Sequence, residues 1–182
     1  QLGFNRLIIR KDGKARESWI GDEHYNVENP ERIPFGPVDP EVGVIKVEDM
    51  QGNARAIVMS YAMHADLGCF SYEISADYPG YACRKVEEAF DNKAICLFVA
   101  GGGGNVEGLM ISRRRSGPDD PIKTDYKPIQ RTGELLGIEV IKLANALHAS
   151  SDNTSFKMRT DSLQFSTRAD KNRKVNVHIA TF

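Results

Sequence analysis

A histidine at the end of an apolar run can hold a metal or move a proton, and His64 stands in that position. It closes the run from Ala54 to Met63 and is followed by Ala65-Asp66-Leu67-Gly68. A lone histidine at a strand end also serves as an ordinary structural residue. No second His or Cys lies at helical or hairpin ligand spacing from it, so local sequence assembles no complete metal site. If His64 binds metal, its partners come from elsewhere in the fold.

The second candidate is the glycine run Gly101 to Gly104, into which the apolar segment Ala94-Ile95-Cys96-Leu97-Phe98-Val99-Ala100 empties. Glycines at a strand's carboxyl end let a backbone approach a phosphate. The spacing excludes that use. A G-x-G-x-x-G frame puts Val106 or Glu107 at the third glycine, and a P-loop frame from Gly103 to Gly108 continues with Leu109-Met110 in place of Lys-Ser/Thr. A backbone-dominated turn remains, suited equally to an active-site loop or to packing that tolerates no side chain.

Other reactive residue types offer less. His24 lies in a Pro-rich loop, His148 at the end of a long helix and His178 in a late alternating strand, and all three read as structural. Arg113-Arg114-Arg115 precedes Ser116-Gly117-Pro118 and reads as a solvated loop. Cys69, Cys83 and Cys96 are too few and too unevenly placed for a disulfide framework or a Cys-based zinc site. Cys96 belongs to an apolar core run, and Cys69 and Cys83 pair only if the fold joins them.

The elements that must position these residues follow from periodicity. Phe4 to Arg10 reads as a strand entering a turn at Lys11-Asp12-Gly13. Residues from about Glu17 to Pro40 form an ordered loop, because Trp19, Tyr25 and Phe35 want burial among its prolines. Val42 to Val47 and Ala54 to Met63 make a hairpin through Gln51-Gly52-Asn53. A short amphipathic helix starts near Pro79, with Asp77 as its N-cap, and runs to Asp91-Asn92.

Ala94 to Ala100 reads as a central strand covered on both faces. A helix spans Pro128 to His148, with Leu135, Ile138, Ile141, Leu143, Ala144 and Leu147 as its apolar face. Ser155 to Thr167 and Val175 to Ala180 alternate as half-buried strands. This order predicts an α/β domain on a mixed β-sheet flanked by helices. No repeat or composition break divides the 182 residues.

Hydrophobic residues at 41% and charged residues at 27% suit a folded globular chain rather than a disordered one. With a formal net charge of -1, no global field draws nucleic acid or an anionic membrane. No run approaches the ~18 apolar residues of a membrane span. The start Gln1-Leu2-Gly3-Phe4 lacks an initiator Met and a charged n-region, which fits a mature terminus or a fragment boundary.

Five segments in order resemble the neutral/alkaline ceramidase family: Asn5-Arg6; Val38-Asp39-Pro40-Glu41-Val42-Gly43-Val44; Ser60-Tyr61-Ala62-Met63-His64; Ile74-Ser75-Ala76-Asp77-Tyr78-Pro79-Gly80; and Gly103-Gly104-Asn105-Val106-Glu107. The resemblance covers roughly the first 110 residues well and the remainder more loosely. It implies that residues 1–182 are an incomplete segment, the central part of a zinc-hydrolase catalytic domain. It further implies cleavage of an N-acyl amide bond in a sphingolipid-like or related lipid through metal-activated water, in a secreted or periplasmic setting.

The same resemblance implies a zinc held by two histidines, a Glu and a Tyr, with His64 as the second histidine and the other ligands outside this segment. Arg6 falls on a family Arg near the substrate, where a fixed cation can hydrogen-bond a polar group or a developing oxyanion; the alternative is a surface salt bridge. Gly103 and Gly104 take substrate-binding positions with Arg6, and Asn105 and Glu107 take catalytic ones. Glu107 departs from the pattern by replacing the family's serine. A carboxylate there can act as general base, or it can mark a ceramidase-like lipid- or ligand-binding protein with impaired catalysis.

Overall fold

The alternating run from Val42 and the apolar run from Ala54 pair as expected, and the strand they build is the frame for everything near His64. The computed structural model describes residues 1–18, 29–68, 73–110, 113–114, 123–148, 157, 159–167, 171 and 173–181. Expectations for Trp19, His24, Tyr25, Cys69 and Arg115 lie outside these residues. Two compact units are present, 1–148 and 149–182.

In the first unit, short strands β1 (Gly3–Asn5), β2 (Leu7–Ile9) and β3 (Ala15–Glu17) replace the single early strand. The break falls at Arg6, whose amide donates to Asn105 O and whose carbonyl accepts from Ser18 N. β4 (Val42–Glu48) and β5 (Ala54–Tyr61) form the antiparallel hairpin, with an irregularity between Val47 and Glu48. β6 (Ile95–Ala100) then adds to β5 in parallel, giving the order β4-β5-β6. The sheet is mixed and the class is α/β.

β5, not β6, is the central strand of this sheet. One face buries Ile57, Met59, Tyr61 and Cys96, while Ile45, Val47, Ile95, Leu97 and Val99 on the other are about half exposed or more. A continuous apolar run does not by itself distinguish a strand covered on both sides from one whose second apolar face is open among the described residues.

The connection between β5 and β6 carries helix α1 (Asp77–Ala89), which begins two residues before Pro79. Ala76 occupies the N-cap position, and Asp77 is the first helical residue. After β6 come β7 (Val106–Gly108), the short pair β8 (Arg113–Arg114) and β9 (Lys123–Thr124), and helix α2 (Tyr126–Ala146). Asp125 caps α2 by accepting from Lys127 N.

The buried face of α2 differs from the one its bulkiest residues suggest. Ile129, Thr132, Gly133, Leu136, Gly137, Val140 and Ala144 face inward, whereas Ile138 and Leu147 are exposed. Close helix packing explains the choice. A Cβ on Gly133 would lie 2.5 Å from Tyr78 O, and one on Gly137 would lie 2.9 Å from Lys85 Cβ. The small residues let α2 settle against α1, and the contact then buries Ile129, Leu136 and Val140, each worth about 1.5–3 kcal/mol of apolar transfer.

The second unit is a hairpin of β10 (Arg159–Ser166) and β11 (Lys174–Thr181), paired antiparallel from Arg159↔Thr181 to Ser166↔Lys174. Its strands match the late alternating segments in position, but β10 is exposed along its whole length rather than half-buried. His178 lies on β11.

The packing makes a direct prediction. Gly133→Ala should lower the unfolding free energy by about 1–3 kcal/mol through overpacking, even though alanine favours a helix by about 1 kcal/mol over glycine. Ile138→Ala should change it by less than about 0.5 kcal/mol. Urea denaturation of the two variants distinguishes the faces.

Candidate metal centre

Three chain segments distant in sequence meet at the carboxyl end of β5 and β6. β1 pairs with β7 in antiparallel register, Gly3↔Gly108, Phe4↔Glu107 and Asn5↔Val106. The amide of His64 donates to Val106 O at 2.9 Å, tying the end of the β5 run to the same strand. Gly101 N donates to Tyr61 O at 3.0 Å, continuing the β5–β6 pairing into the glycine loop.

The glycines therefore serve close approach. A Cβ on Gly103 would stand 2.6 Å from Met63 N and 2.8 Å from Ala62 C, so a side chain there would push the loop off the His64 segment. Gly3 is equally tight, with Glu107 O at 2.8 Å from a built Cβ. Gly104 meets nothing within 4 Å. Of the two readings of the glycine run, tight packing holds at Gly103 and open space at Gly104.

Side chains lock the arrangement. Asn105 Nδ2 donates to Asn5 Oδ1 at 2.7 Å, and Asn5 Nδ2 donates to Pro37 O at 2.9 Å. Asp77 accepts from Gly68 N at 2.8 Å and from Tyr78 N, and Tyr78 Oη donates to Met63 O at 2.8 Å. The expected N-cap residue thus anchors the loop after His64 to the start of α1. Burial pushes the Tyr78 hydroxyl well above its usual range, so it stays a donor.

This frame brings His64, Asp66 and Glu107 together: one ligand atom from each lies within 4.8 Å of the others. Glu107 is buried, at 4% exposure, and its carboxylate pairs with the Arg6 guanidinium, whose Nε also lies 3.3 Å from Glu17 Oε1. The Arg6 cation is therefore at the site and engaged by carboxylates. Asp66 Oδ1 is buried and accepts no hydrogen bond. An orphaned carboxylate oxygen beside an imidazole and a second carboxylate is a donor set that fits a divalent cation such as zinc.

Asp66 is the residue that spacing did not single out. The local sequence offered only its place two residues after His64. His64, Glu107, Asn105, Arg6 and Gly103 all gather here. His148 is exposed beyond the end of α2.

Electrostatics make Glu107 the unusual acid. Desolvation raises its pKa from 4.5 to about 7, helped by the Asp66 charge and by the hydrogen bond that protonated Glu107 makes to Asp66, and opposed by Arg6.

The described structure is thus a mixed α/β fold with a His–Asp–Glu cluster at the end of its central strand. No protein-family model and no curated protein matches the chain. Among solved structures it is similar to the neutral ceramidase from Pseudomonas aeruginosa, with a TM-score of 0.49, 15% identity, and coverage of 71% of this chain and 20% of that one. It is also similar to a ceramidase complexed with C2, with a TM-score of 0.49, 14% identity, and coverage of 76% and 22%. The chain spans about a fifth of the length of each. The likeness is a weak one of fold and says nothing about chemistry. No helix among the described residues is long and apolar enough to cross a membrane.

A raised carboxyl pKa stabilises the fold fully below the unfolded value and loses that contribution as pH rises through the folded value. In chelator-treated protein the Glu107 contribution should therefore fall by about 3 kcal/mol between pH 4.5 and a little above pH 7. Urea unfolding across that range should show Glu107→Gln gaining on the parent by that amount. Parallel curves for the two proteins would contradict the assignment.

Proposed function

We propose that this chain is part of a zinc-dependent hydrolase of the neutral-ceramidase type, acting on an N-acyl amide of a sphingolipid-like or related lipid. The observation that carries the reading is the convergence of His64, Asp66 and Glu107 within 4.8 Å on one rigid backbone junction. The five ordered motif segments support it, since Asn5-Arg6, His64 and Gly103 to Glu107 all belong to them.

His64 and Asp66 hold the ion, with further ligands supplied by a longer catalytic domain of which this chain is a segment. A bound zinc supplies Lewis acidity, polarising a carbonyl and making water a nucleophile near neutral pH. Glu107 takes the proton. Glu107 carries its charge before it accepts the proton, and the Arg6 guanidinium offsets the cost of that buried charge. Arg6 also sets its guanidinium beside Glu107, a position suited to orienting a carbonyl or developing oxyanion. Asn105 holds Asn5, and through it the β1 segment that presents Arg6.

The roles separate experimentally. Under equilibrium dialysis, His64→Ala should weaken zinc binding by more than the ~10–100-fold expected for losing an outer partner of a metal ligand. Glu107→Gln should retain zinc and lower turnover of a labelled N-acyl amide by about 10²–10⁴-fold. Unchanged zinc binding in His64→Ala would refute the ligand assignment. Tight lipid binding without chelator-sensitive turnover in the parent protein would favour a ligand-binding relative instead.

A further inference from the structure

The sequence left Cys83 to pair with Cys69 if the fold allowed, and assigned Cys96 to the core. Cys69 lies outside the described residues, and the packing puts Cys83 against the cluster that contains Cys96. Cys83 is half-buried on α1, and Cys96 is buried at 6% exposure on β6. One helical turn beyond Cys83, on the same side of α1, Glu87 Oε1 accepts a hydrogen bond from Cys96 N at 3.0 Å. That contact fixes the height of β6 against the turn of α1 that carries Cys83. The α1–β6 connection is correspondingly tight, with Asp91 and Asn92 at φ of 55° and 57°.

We propose that Cys83 and Cys96 form a redox-reactive dithiol that closes to an intramolecular disulfide with a small-molecule disulfide as oxidant, pinning α1 to β6. The two thiols are neighbours close enough to perturb each other, Cys96 lowering the Cys83 pKa through a side-chain hydrogen bond and Cys83 raising that of Cys96. Cys83 is the more accessible sulfur and the one more readily ionised, so it attacks first. Its thiolate bonds to one sulfur of the oxidant and expels the other half as a thiolate. Cys96 then attacks the Cys83 sulfur, its proton leaving with the second small thiolate. Two protein thiols and one small disulfide thus become one protein disulfide and two small thiols. The bond clamps the strand that delivers Gly101 to Gly104 to the helix whose first residue holds the His64 loop.

The test uses the protein with all three cysteines. It is incubated with oxidised glutathione, free thiols are blocked with iodoacetamide, and it is digested without reduction using trypsin together with a Glu-specific protease. Cleavage after Glu73 separates Cys69 from Cys83, and cleavage at Lys93 separates Cys83 from Cys96. The expected product is a reducible Cys83–Cys96 cross-link. A Cys96→Ser variant should trap glutathione on Cys83, and Cys83→Ala should leave Cys96 unmodified. A cross-link through Cys69, or alkylation of both Cys83 and Cys96 after the incubation, would overturn the proposal. So would glutathione on Cys96 in the Cys83→Ala variant.

Discussion

Burying the Glu107 carboxylate in the middle of β7 is the constraint around which the site is organised. A carboxylate withdrawn from water is costly unless paired, and the compensating cation is Arg6, about a hundred residues away in sequence. The pairing of β1 with β7 and the Arg6 N to Asn105 O hydrogen bond bring the two together. Removing Arg6 leaves the buried Glu107 carboxylate without its cation, whereas removing Glu107 leaves Arg6 beside the Glu17 carboxylate. The same backbone junction accepts His64 N at Val106 O, so the geometry that neutralises Glu107 also sets His64 and Asp66 beside it.

A tension is built into this arrangement. Arg6 favours the ionised carboxylate, while desolvation and Asp66 oppose it, and the opposing causes leave Glu107 titrating near neutrality. Asp66 adds a second carboxylate, one oxygen of which is buried and has no donor while Glu107 is ionised. A cation would satisfy that oxygen and relieve the repulsion between the carboxylates at once. A purely structural salt bridge would need neither Asp66 nor an adjacent imidazole.

Much of the frame was legible in the sequence because it rests on local periodicity. The β4–β5 hairpin, α1, α2 and the β10–β11 pair all appear near their expected bounds. What periodicity could not reveal were choices made by tertiary contact. Ile138 and Leu147 look like a helix core, yet Gly133 and Gly137 decide the buried face because only they admit α1. Ile95, Leu97 and Val99 look doubly covered, yet their face of the sheet is open among the described residues. At the site, His64 and Glu107 were legible as reactive types. Asp66 was not, since its significance arises from the β1–β7 pairing that closes the junction, and the partnership of Glu107 with Arg6 is equally invisible to local spacing.

The central claim is that His64 and Asp66 ligate a metal while Glu107 stands beside it. Anomalous diffraction at the zinc edge from crystals of the zinc-loaded protein tests this most directly. The account predicts a single peak bonded to a His64 ring nitrogen at about 2.0–2.1 Å and to an Asp66 oxygen at about 2.0–2.2 Å, with Glu107 still paired to Arg6. Zinc bound elsewhere, with the His64–Asp66–Glu107 cluster empty, would contradict it.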